Sequence, residues 1–371
     1  MRVGNNVNVQ TLGPPDEVAE LVGDDAGIAI QNVNIQFPSA TRLVNVVVGG
    51  RIVVTGGVVE MLGGAVRGVA PFIDGSFVRS AVDLTTAGPS PQQTFPGTFS
   101  GANVVFEDNG SSDEAIDVRG GAVRVRSGAR FSCNGCTFRN NSAAEGGAIY
   151  ANDGNTQVIV GSTLFDGNDA RLVGGAVVIA SGTATFDGVT AENNTASGVT
   201  GAGGAFHIGR DNQSPTATFR GGTIRGNSAN TGGGVMVQVF GGATGTATAN
   251  FTDTIIENNS AQNGGGIFAA GITSWRGGAL RGNTASQLGG GAFVRRNFTC
   301  TAALLQGNTA GQTGGGAFHE TSSSAAYGGV DVGIDAAINI SDTFDGDQSA
   351  PQSFTGVVNL TCGGSGCSPS P

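Results

Sequence analysis

The sequence contains no lysine: its 18 basic residues are all arginine, set against 28 carboxylates for a net charge of −10. Charged residues make up only 12% of the chain, and aromatics 6%, nearly all of them Phe. A nucleic-acid footprint needs clustered Lys and Arg, so no nucleic-acid partner is expected. No apolar run reaches the roughly 18 residues of a membrane-spanning helix, so the chain is not expected to span a membrane. The opening MRVGNNVNVQ lacks the apolar core of a signal peptide. Cysteine is scarce as well, with five in the chain. Cys362 and Cys367 in TCGGSGC are spaced to close a disulfide loop. Cys133 and Cys136 form CNGC, whose redox reading needs a βαβ context that is missing here. One such pair is also only half a zinc site, which leaves a local disulfide or two packed thiols. Cys300 has no evident partner.

Glycine is what the chain has in abundance: 66 of 371 residues, more than double the ordinary share. The collagen period of three is absent, and the glycines follow a longer repeat. Asn-[Ser/Thr/Asp]-Ala starts at Asn141, Asn168, Asn194, Asn227, Asn259, Asn283 and Asn308. A Gly pair follows each, with second glycines at 147, 175, 204, 234, 266, 291 and 316; a degenerate earlier copy has Asn109 and Gly120-Gly121. Aligned on the Asn, three apolar columns emerge. One holds Phe138, Phe165, Ala191, Ile224, Ile256, Leu280 and Leu305, and a second Cys133, Val160, Phe186, Phe219, Phe251, Trp275 and Cys300. The third, two residues past the second Gly, holds Ile149, Val177, Phe206, Met236, Phe268, Phe293 and Phe318.

Short apolar segments broken by Gly and Asn do not fit helical repeats, whose apolar residues recur at i, i+3, i+4 and i+7. They predict an all-β, single-stranded right-handed parallel β-helix, one coil per repeat, with like residues stacked about 4.8 Å apart. The Asn column predicts an amide ladder. The residue before each Asn is Asn or Gly, the types that best tolerate positive φ. The residue two before it alternates in charge (Arg139, Asp166, Glu192, Arg225, Glu257, Arg281) and reads as an exposed ion-pair ladder worth about 0–1 kcal/mol per pair. Residues 1–27 are expected to form an N-terminal cap with a short helix opening at Asp16-Glu17. Residues 28–100 read as irregular first coils, with a loop at 86–97, and 101–320 as the regular array. Residues 321–371 read as a last coil, a cap and a Ser/Pro tail.

The motifs FRNN (Phe138–Asn141), FDGN (Phe165–Asn168), GGAI (Gly146–Ile149) and GGAV (Gly174–Val177) resemble the repeats of chlamydial polymorphic outer-membrane proteins and related bacterial passenger domains. The resemblance runs over about residues 110–320. It implies a right-handed β-helix displayed at a surface, often in adhesion. The C-terminal membrane barrel of that family is not expected within residues 321–371.

Chemistry-bearing residues are few. A lyase would have to use Arg as its base, with Arg295 and Arg296 near His319 and Glu320; Arg295 and Glu320 share a column and read as a salt bridge. His207 and His319 share the neighbouring column but lie four coils apart, about 19 Å, too far for one metal. Asp342, Asp345 and Asp347 in SDTFDGD suit either Ca²⁺ or plain Asp-Gly turns; no other cofactor is implied. Asn140, Asn193 and Asn258 lie in Asn-x-Ser/Thr sequons, and would carry glycans along one edge after a eukaryotic secretory route. The sequence therefore points to a non-enzymatic extracellular or cell-surface module, adhesive or filament-forming, whose partners are its own copies, other surface proteins or glycans. The alternative is a carbohydrate-active β-helix: a polysaccharide lyase or hydrolase, or a phage-type tailspike.

Overall fold

Each regular coil contributes four short strands to four parallel sheets, as the coil from Arg130 illustrates. The first sheet takes Arg130–Asn134, the second Thr137–Arg139, the third Ser142–Glu145 and the fourth Ile149–Asn152. In this computed structural model the described residues are 39–68, 77–90, 93–111, 117–210, 213–238 and 245–320, with isolated short stretches elsewhere. Each strand pairs in parallel with its counterpart one coil on: Phe131 with Val158, Phe138 with Phe165, Ala143 with Ala170, Ile149 with Val177. Among the described residues the first, second and fourth sheets have 13, 12 and 14 strands, and the third has eight, the first of them Ser142–Glu145. Coil length varies ahead of it: fewer residues separate Ala40 from its partner Val58 than Arg130 from Gln157, while more separate Val58 from Thr98. The short coil from Ala40 closes with three strands, Ala40–Val44, Val46–Val48 and Ile52–Thr55, and no third-sheet strand.

Two expectations are corrected near the N-terminus. The capping helix does not form. Val18–Val22, at the heart of the predicted helix, is a strand paired in parallel with Ala40–Val44. Valine at both ends favours extended backbone, the pairing satisfies an edge that would otherwise be bare, and Glu20 meets Arg42 across it at 3.8 Å. Residues 1–17 lie outside the described ones. The 86–97 loop contains a hairpin, Ala87–Ser90 against Gln93–Phe95, that leaves the stack. At the other end, Leu360–Gly363 and Gly366–Pro369 pair antiparallel and set Cys362 opposite Cys367. The side chains of this pair lie outside the described ones, as do Asp342, Asp347 and the side chain of Asp345.

The core runs along the axis, as two of the predicted columns require. In the second sheet Phe106, Phe138 and Phe165 stack ring on ring at 4.5 and 4.9 Å. In the first, Phe186, Phe219, Phe251 and Trp275 stack at 4.9, 4.7 and 5.3 Å. All are essentially inaccessible to solvent, and each contributes about 1.5–3 kcal/mol by burial. Cys133 and Cys136 form a buried disulfide across the bend between the first and second sheets. Cys300 is a buried free thiol whose pKa burial pushes up to about 12, so it is chemically inert at neutral pH.

The third predicted column is out of register and is corrected. Ile149, Val177 and Phe206 pair onward with Val235, Ile267, Ala292 and Ala317, not with Met236, Phe268, Phe293 and Phe318. The later repeats carry three glycines, and Gly234, Gly266, Gly291 and Gly316 occupy the place held by Ala205 in the coil before them. Side chains alternate along a strand. A one-residue shift therefore moves Met236, Phe268, Phe293 and Phe318 to the outer face of the fourth sheet.

Candidate functional site

Two bends shape the outside of the solenoid. At the first, between the second and third sheets, the ladder asparagines are fully buried. The Nδ2 of Asn141 donates to Asn168 Oδ1 (2.9 Å) and to the Phe106 carbonyl (3.0 Å), while its backbone N–H donates to the same Oδ1 (3.1 Å). The pattern repeats through Asn168, Asn194, Asn227, Asn259 and Asn283 to Asn308, and starts one coil earlier at Asn109. The preceding residues are in the left-handed region, with φ of 53°, 58° and 55° at Asn140, Asn193 and Asn258. These three sequon asparagines are exposed on one edge. Beside them the charge column forms ion pairs Arg225–Glu192 and Arg281–Glu257 at 2.7 Å. Arg139 instead reaches Glu107 at 2.6 Å, and Asp166 accepts from Asn193.

The second bend, at the Gly pair, turns inward. A Cβ on Gly147 or Gly175 would lie 2.2 or 2.0 Å from the carbonyl oxygen of the glycine one coil on. Only glycine lets the coils stack here. The corner folds the outer face of the fourth sheet toward the third, leaving a concave groove along the axis. One wall is the column just before the glycines: Glu145, Val173, Ala202, Thr231, Asn263, Leu288. The other is the outer column of the fourth sheet, from Tyr150 through Val178, His207, Met236, Phe268 and Phe293 to Phe318. Their apolar members, from Tyr150, Val173 and Val178 to Met236, Phe268 and Phe293, form a cluster separate from the axial core. Phe268 and Phe293 stack face to face at 4.7 Å, and Phe318 follows at 5.2 Å with its ring tilted by 34°.

The groove changes character along its length. At the N-terminal end Glu145 is buried between Arg210 (2.6 Å) and Arg119 (3.9 Å), and Arg126 holds Asp83 at 3.1 Å. Over the five coils from Ala202 to Glu320 it opens into a cavity of about 400 Å³. Ala202, Met236, Phe268, Leu288 and Phe293 give this cavity an apolar surface, and Thr200, Thr231, Gln238, Asn263 and Gln287 supply neutral polar groups. Its end is closed by the ion pair Arg295–Glu320, at 2.7 Å, with the guanidinium 5.5 Å from the centre of the Phe268 ring. Glu320 is the one carboxylate among the lining residues. Glu145 stands six coils away, roughly 29 Å at about 4.8 Å per coil. Glycoside hydrolysis needs two carboxyls about 5–9.5 Å apart, so these two cannot act on one bond.

The two histidines do not share a column: the same one-residue slip puts them on opposite faces of the fourth sheet, His207 toward the groove and His319 toward the interior. Burial, aided by the nearby Arg210, pushes the His207 imidazole down to about 4. Burial alone pushes His319 down to about 3. Both are neutral at pH 7, and among the described residues no cluster of His, Cys, Asp and Glu could hold a metal. An unfolded histidine titrates near 6.5. Between that value and the folded one the unfolded chain binds more protons, so stability is lost as pH falls below about 6.5. At about 1.4 kcal/mol per unit, each site is expected to cost the fold roughly 3 kcal/mol or more by pH 3–4. A thermal-melt series from pH 7 to 4 should show a falling midpoint, with a shallower slope in His207→Phe.

The predicted Arg295–Glu320 pair thus closes a cavity that the sequence did not reveal. The groove residues vary from coil to coil, and only the inward turn at the glycines brings them together. Segments 135–152 and 253–270 match the model of the Chlamydia polymorphic membrane protein repeat. No curated protein and no solved structure matches the chain. Each matched segment runs from the end of the first-sheet strand through the ladder Asn and the glycine corner to the fourth-sheet strand. The chain therefore carries the polymorphic-membrane-protein type of repeat, built here as one coil of a parallel β-helix.

Proposed function

We propose that the chain is a surface-associated β-helix that holds a ligand in its glycine-corner groove without transforming it. The carrying observation is the cavity itself: about 400 Å³, apolar and amide-lined, with a single carboxylate already engaged by Arg295. That is the make-up of a binding site and lacks the paired acid and base of a hydrolase. The family model supports surface or outer-membrane placement, because the matched repeat is that of a membrane protein family. The buried Cys133–Cys136 disulfide fits an oxidising compartment outside the cytosol. On this reading adhesion is the primary role, and contacts with other copies or other surface proteins are secondary to the groove.

The test is adhesion of beads coated with the chain to cultured cells, compared with beads carrying a groove variant (Phe293→Asp) and a charge-ladder variant (Arg225→Ala). Adhesion should drop at least fivefold for the first and stay unchanged for the second. Equal adhesion of all three would remove the groove from the function.

A further inference from the structure

We infer that the ligand of the cavity is an uncharged linear oligosaccharide lying along the solenoid axis, an inference that rests on the binding reading above. Three observations select it. The polar groups on the walls are neutral and mostly amides or hydroxyls: Gln238, Asn263, Gln287, Thr200 and Thr231. Amides both donate and accept, as vicinal hydroxyls require. Asn263 is the sharpest of them. Its Nδ2 reaches only a long 3.5 Å contact with Gln287, and its Oδ1 is buried without a hydrogen bond from the protein. A buried acceptor left unpaired costs about 1–3 kcal/mol, which a hydroxyl donor would recover once rotation of the Asn263 side chain, a lining residue, turns that oxygen to the cavity. Finally, Met236, Phe268, Phe293 and Leu288 offer apolar contact for the C–H faces of sugar rings. The cavity spans four rises between its five coils, roughly 19 Å, the scale of a short oligosaccharide.

A peptide fits less well. An extended peptide binds by adding a strand to a free edge, and this groove offers none. Its wall backbone is consumed between coils, as in Gly232 N–H to Asn263 O (3.0 Å), Gly264 N–H to Leu288 O (3.0 Å) and Gln238 N–H to Ile208 O (2.9 Å). An anionic glycan fits less well again, because the one guanidinium lining the cavity, Arg295, is already neutralised by Glu320.

The experiment is calorimetric titration of the full chain with neutral hexasaccharides of β-1,4-glucan, β-1,3-glucan, xylan, mannan and chitin, against hexagalacturonate as the anionic comparison. At least one neutral probe should bind with an affinity that changes less than twofold between 50 and 500 mM NaCl. Asn263→Leu should weaken it at least tenfold without lowering the melting temperature, since it removes a polar group that the fold leaves unpaired. Asn263→Asp keeps an acceptor and should stay within threefold of the original affinity. No binding by any neutral probe, a preference for hexagalacturonate, or unchanged binding by Asn263→Leu would each overturn the inference. Periodate oxidation of cell-surface glycans separates it from the reading it rests on. Bead adhesion that survives periodate but still needs Phe293 rejects the oligosaccharide and keeps the groove. Adhesion that is indifferent to Phe293→Asp rejects the groove itself.

Discussion

Replacing Asn194 by Ala should cost the fold about 4 kcal/mol or more, among the largest effects of any polar substitution in the chain. Asn194 is fully buried mid-ladder. Its Oδ1 accepts from the backbone N–H and the Nδ2 of Asn168 at 3.0 and 2.9 Å. Its Nδ2 donates to Phe165 O and Asn227 Oδ1 at 3.0 and 2.9 Å. Truncation leaves four groups short of a bond, in a place no alternative protein partner reaches, and each costs about 1–3 kcal/mol. Asn194→Asp is nearly the same shape but presents an acceptor to two acceptors. It should be destabilised at pH 7 and partly restored as pH falls, because the folded state favours the protonated acid and stability is lost as pH rises. Denaturant titration measures both. Coils couple mainly to their neighbours, so the signal of the single Trp275 should report the later coils and circular dichroism the whole array. A loss under about 1 kcal/mol in Asn194→Ala would mean the ladder is ornamental to stability.

Gly175→Ala should be at least as damaging, and for a different reason. The added Cβ would sit 2.0 Å from Gly204 O and 2.6 Å from Thr195 N. Both are backbone atoms of the next coil, so neither can rotate away, and relief requires the coils to separate. Loss of soluble expression, or destabilisation beyond about 4 kcal/mol, is expected. Gly154→Ala is the matched control. Its φ is +67°, but its Cβ would meet nothing nearer than 4.0 Å, so only the cost of a left-handed alanine applies, about 1 kcal/mol. Parallel melts of the two variants compare them. Similar losses in both would mean that backbone conformation, and not close approach of coils, explains the glycines at the corner.

The parallel β-helix was legible because its determinants recur. The ladder Asn, the left-handed residue before it and the Phe columns appear once per coil, and alignment exposes them. What was not legible follows from positions where recurrence misleads or stops. Gly234 and Gly266 look like second members of a pair, yet they occupy the place of Ala205, and this single-residue slip hid the outward turn of Met236, Phe268 and Phe293. The helix expected at Val18–Val22 failed because an acidic start is a weak signal beside an open strand edge. Within the groove, Thr231, Asn263 and Leu288 share a column but no chemistry. Variation along a fixed column is what a site built on a solenoid looks like, and only the geometry of the corner turns it into a cavity.

Ladder, corner and groove all exist only if the coils stack in register, one repeat per rise. Ser132 and Thr299 lie in the same outward column of the first sheet, six coils apart through Ile159, Thr185, Thr218, Asn250 and Ser274. Spin labels on cysteines replacing these two residues, measured by double electron–electron resonance, test the register directly. The result expected is one narrow distance near 29 Å, six rises of about 4.8 Å, widened only by the label arms. A broad distribution, or a main distance displaced by more than two rises, would contradict the stacked coil and the groove with it.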